Sequence, residues 1–159
     1  VRLVAEGHVR QIRDLIDKHP HHIRLVCNDY RRLAARMVGW DDVEGVLATL
    51  TNDAEHDIVG WPLGPTHGRE AARQFYETMF VDLADSKVRT VKRLYGDSFM
   101  VDESLWSGRA PGKPFGLEGR GRLLEFRLLH VVEFSETGDI KRENVWVDLA
   151  AIMRQLPQD

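Results

Sequence analysis

Residues 122–134 read RLLEFRLLHVVEF, and the alternation within this run decides the fold. Leu124, Phe126, Leu128, His130, Val132 and Phe134 fall on one side of a period of two, and Leu123, Glu125, Arg127, Leu129, Val131 and Glu133 on the other. Such a period marks a β-strand, whose side chains point alternately to the two faces of a sheet. The first side is a core face interrupted by one histidine. The second mixes aliphatic and charged residues, the composition of a sheet face that meets a partner subunit while keeping a polar rim. A homodimer through that outer face is expected, formed by Leu123, Arg127, Leu129 and Val131 together with Val145 and Val147 from the following strand.

The flanking sequence extends this strand into a meander. Residues 88–95 and 98–106 read as strands joined at Gly96-Asp97, a hairpin signal, and the Gly- and Pro-bearing stretch 108–119 reads as a loop. Residues 139–147 pair back onto the long strand across Ser135-Glu136-Thr137-Gly138. Upstream, apolar residues recur at helical spacing over 1–17 and 23–38, separated at Lys18-His19-Pro20, where proline ends the first helix. Asp41 reads as the N-cap of a third helix reaching Leu50, with Glu44 completing a capping box. A short strand over 54–59 follows, then a Gly/Pro loop, a helix from about Gly68 carrying Phe75, Tyr76 and Phe80, and a closing helix over 150–155. Helices first and a curved meander afterwards predict an α+β fold with the helices on one sheet face.

The chain has 159 residues, 43% hydrophobic and 30% charged, enough for one domain with a sizeable core. Its 22 basic and 25 acidic residues give a formal charge of −3, which lacks the electrostatic footprint of a nucleic-acid binder. No stretch approaches the roughly 20 apolar residues that cross a bilayer, so no membrane partner is expected. Cys27 is the single cysteine, so no disulfide framework forms within the chain, and a reducing, cytoplasmic setting is expected.

His130 is the anomaly on the core face. With a Glu136-Thr137-Gly138 loop and Gly138 in the left-handed region, Ser135 faces Asp139 and His130 faces Asn144. That register carries Arg142, Asn144, Trp146 and Asp148 onto the concave face with His130. It is a register argument throughout, because a shift of one residue moves every side chain to the opposite face.

The order of elements, with GWDDVEGVLATLTNDAEHDIVGW, GREAARQFY and GDIKRENVWVDLAAIMRQL, resembles the nuclear transport factor two-like superfamily. Within it the chain is similar to the SnoaL-like polyketide cyclase branch and its ketosteroid isomerase and limonene epoxide hydrolase relatives, over about residues 30–155. The resemblance implies a cone-shaped α+β barrel of the cystatin-like kind, a curved antiparallel or mixed sheet wrapped around N-terminal helices, with a deep apolar pocket at its open end. It implies one domain over 1–159, with 1–22 an added helix and turn and 23–155 the cone.

By the same resemblance, His130 stands where ketosteroid isomerases place the aspartic acid that donates to the developing oxyanion. Asp57 falls at or beside their general-base aspartate, while Ala34 replaces their first-helix tyrosine. Asp148, two residues after Trp146, matches the tryptophan-x-aspartate of the epoxide hydrolases. Ser104 and Trp106 replace the arginine and aspartate that complete their triad. Both departures argue against those two particular activities.

The remaining chemistry is proton transfer. A carboxylate that accepts from one imidazole nitrogen fixes the tautomer and raises the basicity of the other, so His130 with Asp148, or Asp57 in an apolar setting, would serve as acid and base. Trp146, Asn144, Trp106, Phe126, His56 and Trp61 are the expected substrate-binding residues, with His56 and Trp61 at the pocket mouth. Neither a cofactor nor a metal is expected. His19, His21 and His22 lack further ligands at metal-binding spacing and read as a solvated turn. The expected function is cofactor-free cyclase, isomerase or dehydratase chemistry on a small hydrophobic, oxygenated ligand. The alternative is a non-catalytic small-molecule-binding or dimerisation module, since one fold hosts many functions. Asp148 has a plainer reading too, as the cap of the last helix.

Overall fold

The computed structural model describes residues 42–156. The two helices expected over 1–17 and 23–38, with Ala34, Cys27 and the histidines at 19, 21 and 22, lie outside the described residues.

Helix α1 (Val43–Leu47) opens the described chain, and its cap is Asp42, whose carboxylate accepts from the Gly45 N–H at 2.8 Å. The helix was expected to be capped by Asp41 and to reach Leu50. Instead it ends at Leu47, and β1 (Leu50–Ile58) begins three residues later. Strand β2 (Thr66–His67) pairs antiparallel with β1, and α2 (Arg69–Asp82) follows. Gly68 caps α2 at φ +83°, a conformation that favours glycine, so the chain reverses sharply between β2 and the helix. Ala72 and Tyr76 are the buried positions of α2, and Phe75, Met79 and Phe80 pack against the same core.

The rest is a meander of β3 (Ala84–Tyr95), β4 (Phe99–Ala110), β5 (Arg122–Phe134) and β6 (Ile140–Val147), closed by α3 (Leu149–Gln155). The six strands form one mixed, unclosed sheet in the order β2-β1-β6-β5-β4-β3, in which only β1 and β6 run parallel. The sheet is the curved α+β cone expected from the sequence. Irregularities in β1, β3 and β6 supply bends, because an extra residue on one strand increases local twist and turns the strand.

The long strand alternates as read. Leu124, Phe126, Leu128, His130, Val132 and Phe134 are all buried, and Leu123, Glu125, Arg127 and Leu129 are exposed. Each apolar side chain on the inner face contributes about 1.5–3 kcal/mol of burial. Val132 and Phe134 join a cluster with Val46, Leu50, Tyr76, Met100 and Ile140. Leu124, Phe126 and Leu128 join a second one with Trp106, Val145, Ile152 and Leu156.

The register of β6 differs from the expected one. The loop itself forms as anticipated: Ser135 N–H donates to Asp139 O at 2.8 Å, and Gly138 takes φ +92°. One step later, Phe134 pairs with Ile140 but Glu133 pairs with Arg142, so Lys141 is an extra residue in β6. This bulge reverses every later position. His130 faces Val145 rather than Asn144, Leu129 faces Trp146, and Val132 faces Glu143. Val145 is buried and Val147 packs with the core, so neither belongs to the outer surface, while Trp146 is exposed there.

Candidate functional site

The inner face of the sheet collects polar side chains that its apolar surroundings make costly. His56 from β1, Tyr76 from α2, Asp102 and Ser104 from β4, His130 from β5 and Glu143 from β6 are all buried. Pairing explains their convergence. Glu143 lies between His56 on β1 and Val132 on β5, and His130 lies between Val145 on β6 and Asp102 on β4. Glu143 is thus the diagonal neighbour of His130, a separation of about 7–8 Å that long side chains can reach across.

Glu143, 2% exposed, accepts from the Tyr76 hydroxyl through Oε2 at 2.9 Å, and His56 Nε2 stands 3.8 Å from the same oxygen. The second distance is too long for a hydrogen bond. Its other oxygen, Oε1, is buried and makes no hydrogen bond among the described residues. A buried carboxyl oxygen without a partner is costly, by about 1–3 kcal/mol or more, and rare in folded proteins.

His56 also packs against the rings of Phe75, 4.3 Å away between centroids, and Tyr76, 5.7 Å away. Burial pushes its imidazole below the usual histidine range; Glu143 opposes that shift, and His130 adds to it. His56 is therefore held neutral beside Glu143. The unfolded chain binds a proton at His56 near pH 6.5 and the folded chain does so only at lower pH, so stability rises with pH across that window. The contribution is complete above about pH 6.5 and is lost as pH falls toward the folded value. Denaturant midpoints measured from pH 7.5 to 5 should fall, with a shallower fall in His56→Gln.

On the other side of His130, Asp102 is 1% exposed. Its Oδ1 accepts from Arg93 Nε at 2.7 Å, and its Oδ2 accepts from the Ser104 hydroxyl. Burial disfavours the Arg93 charge, and the hydrogen bonds and charges of Asp102 and Tyr95 together more than offset this, holding its pKa above the usual arginine value.

Aromatic side chains lie toward the opposite end of the inner face. Trp106 stacks on Phe126 at 5.0 Å, and Phe115, from the loop between β4 and β5, stands edge-on to Phe126 and to Trp61. Phe115 takes φ +52°, a strained conformation for a residue with a side chain.

Of the residues expected at the site, His130, His56, Trp106 and Phe126 share the inner face, and Trp61 reaches it through Phe115. His56 lies within the core rather than at a mouth. Asp57 occupies the alternate side of β1 from His56, paired with Asn144. Asn144 and Trp146 follow the bulged register to the outer face. Asp148 does not join His130: it is exposed and caps α3, accepting from Ala151 N–H at 2.9 Å. It also lies three residues beyond Val145, about 10 Å along the strand. Glu143, Asp102 and Tyr76 were not anticipated. One signal existed in β6: Ile140 and Val145 are both apolar but an odd number of residues apart, which a regular strand cannot place on one face.

A separate groove of about 830 Å³, lined by Lys87, Arg109, Leu123, Glu125 and Gln155 among others, contains none of these buried polar residues. It is an open feature of the surface. Among the described residues no group of three or more His, Cys, Asp or Glu is arranged to hold a metal ion. Among the same residues no helix is long and apolar enough to cross a membrane.

Comparison with known proteins places this geometry. No curated protein sequence matches the chain. Among solved structures, a SnoaL-like polyketide cyclase candidate from Jannaschia sp. CCS1 superposes with a TM-score of 0.74 at 16% identity, covering 86% of this chain and 94% of the other. A protein of ketosteroid isomerase-like fold from Catenulispora acidiphila gives 0.67 at 13% identity, covering 82% and 93%. An LEH-like epoxide hydrolase from M. tuberculosis gives 0.65 at 14% identity, covering 84% and 90%. At such identities these likenesses establish the fold. The family model for SnoaL-like polyketide cyclases matches residues 28–156, most of the sequence and every described element, and the chain therefore belongs to that family.

Proposed function

We propose that this protein is a cofactor-free general acid/base enzyme of the cyclase, isomerase or dehydratase type, acting on a small hydrophobic, oxygenated molecule. The observation that supports this reading is the buried Glu143, with one oxygen held by Tyr76 and the other making no hydrogen bond among the described residues. Glu143 acts as the proton acceptor at a carbon next to a carbonyl. His130, its diagonal neighbour, donates to the carbonyl oxygen as charge develops there. Neutral His56 completes the polar end, and Phe126, Trp106, Phe115 and Trp61 give the apolar surface on which the rest of the molecule rests. Asp148 serves as a helix cap.

Such chemistry is detectable without knowing the natural substrate. A panel of cyclic ketones, 1,3-diketones and polyketide-like aromatics in D₂O should show protein-dependent deuteration next to the carbonyl, read by mass spectrometry. Binding of panel members without any exchange would favour the non-catalytic ligand-binding module instead.

The protein further acts as a homodimer in this reading. On the outer face, Leu129 and Trp146 are exposed opposite one another, and the Arg127–Glu103 pair at 2.7 Å sets both signs of charge beside them. A second copy related by a two-fold axis would bring each sign against its opposite while covering the apolar strip. Light scattering should give twice the chain mass for the native protein and the monomer mass for Leu129→Arg.

A further inference from the structure

We propose that Asp102 is a positioning residue for His130, a buried carboxylate clamped by Arg93 and Ser104 that fixes which imidazole nitrogen carries the proton. The inference rests on the acid/base reading above for its consequence, but its own argument is geometric. Asp102 and His130 are direct cross-strand partners on the buried face, which sets their Cβ atoms about 4.5–5.5 Å apart. An aspartate there has no packing advantage over a small apolar residue, and its burial is costly unless it is well partnered. Arg93 and Ser104 bind one oxygen each and hold the carboxylate group rigidly. A carboxylate offers about four acceptor sites, so these two bonds leave capacity for an imidazole N–H.

The clamp is itself anchored. Arg93 also donates to the Thr90 hydroxyl at 3.0 Å, and both residues come from β3, the neighbouring strand. The carboxylate is thus fixed from β3 and from its own strand, while His130 stands beside it on β5. Fixing the tautomer aims one ring nitrogen at Asp102 and leaves the other facing the substrate. Arg93 balances the charge of Asp102, so His130 is oriented without adding an uncompensated negative charge beside the proton-accepting Glu143.

The test is ring ¹⁵N NMR of His130 in the full chain, at a pH where the imidazole is neutral. The native protein should show one tautomer, and a tautomer mixture there would overturn the inference without any variant. Asp102→Asn should lose or reverse that preference. Arg93→Lys, which keeps the charge and removes the Nε donor, should loosen it and guards against an unfolded Asp102 variant. Deuterium exchange on the same samples should fall by some part of the roughly 10²–10⁴ that one positioned acid/base contributes, in kcat rather than KM. A slackened tautomer with unchanged exchange would support the positioning role while removing His130 from the proposed chemistry. Lost exchange with an intact tautomer would overturn the positioning role.

Discussion

Glu143→Gln should abolish most of the deuterium exchange, by about 10²–10⁴-fold, while leaving the fold intact. The substitution is nearly isosteric and keeps an oxygen able to accept from the Tyr76 hydroxyl, which the native side chain does at 2.9 Å. What it removes is the capacity to take up a proton at Oε1. Because the ketone still meets the same aromatic surface, its affinity should change little, and the loss should appear in kcat. Stability should stay level or rise, since a neutral amide is less costly in an apolar core than a carboxylate. Exchange kinetics with thermal melts on the same preparations check both halves. An active Glu143→Gln would remove this residue from the chemistry.

The second large effect concerns the bulge. Inserting one residue between Lys141 and Arg142, with Lys141 still bulged, should move the rest of β6 by one position, with His130 opposite the present Asn144 and Val131 opposite Glu143. Val145 and Glu143 would then turn outward, and Asn144 and Arg142 would turn into the core. Loss of Val145 burial costs about 1.5–3 kcal/mol, and burying an amide and a guanidinium without partners adds more than that. The sum is a large share of the 5–15 kcal/mol that stabilises a typical domain, so the insertion variant should unfold at a much lower denaturant concentration or fail to fold. Lys141→Ala keeps the extra residue and should lose only a surface pair to Glu133, worth well under about 1 kcal/mol. Urea midpoints for the two variants separate backbone length from side-chain chemistry.

That contrast explains what could be read from the sequence. Period-two alternation in 122–134 is a strong signal because it persists, and it placed both faces of β5 as they are observed. The family followed from the order of elements together with the motifs at 39–61, 68–76 and 138–156. The site is another matter, because it depends on pairing between strands and one residue of register decides everything. Lys141 is an exposed lysine like many others, and nothing in its chemistry announces an extra position. Its effect was to exchange Asn144, Trp146 and Arg142 for Glu143 and Val145. Asp102 was hidden differently: in VDESLW the side with Val101 and Leu105 is the more apolar, yet the side with Asp102, Ser104 and Trp106 is the one that faces inward.

The parallel seam between β1 and β6 has a kinetic consequence. Arg142 bonds to Glu55 across 87 residues of chain, and His56 meets Glu143 beside it. Hairpins such as β4–β5 close short loops and form early, whereas this seam must bring together distant parts of the polypeptide, which is entropically slow. The His56–Glu143 contact is therefore among the last to form as the chain folds and among the first to separate when it opens. Under the proposed function, activity regained during refolding should lag behind recovery of strand structure, so that its return times the final closure.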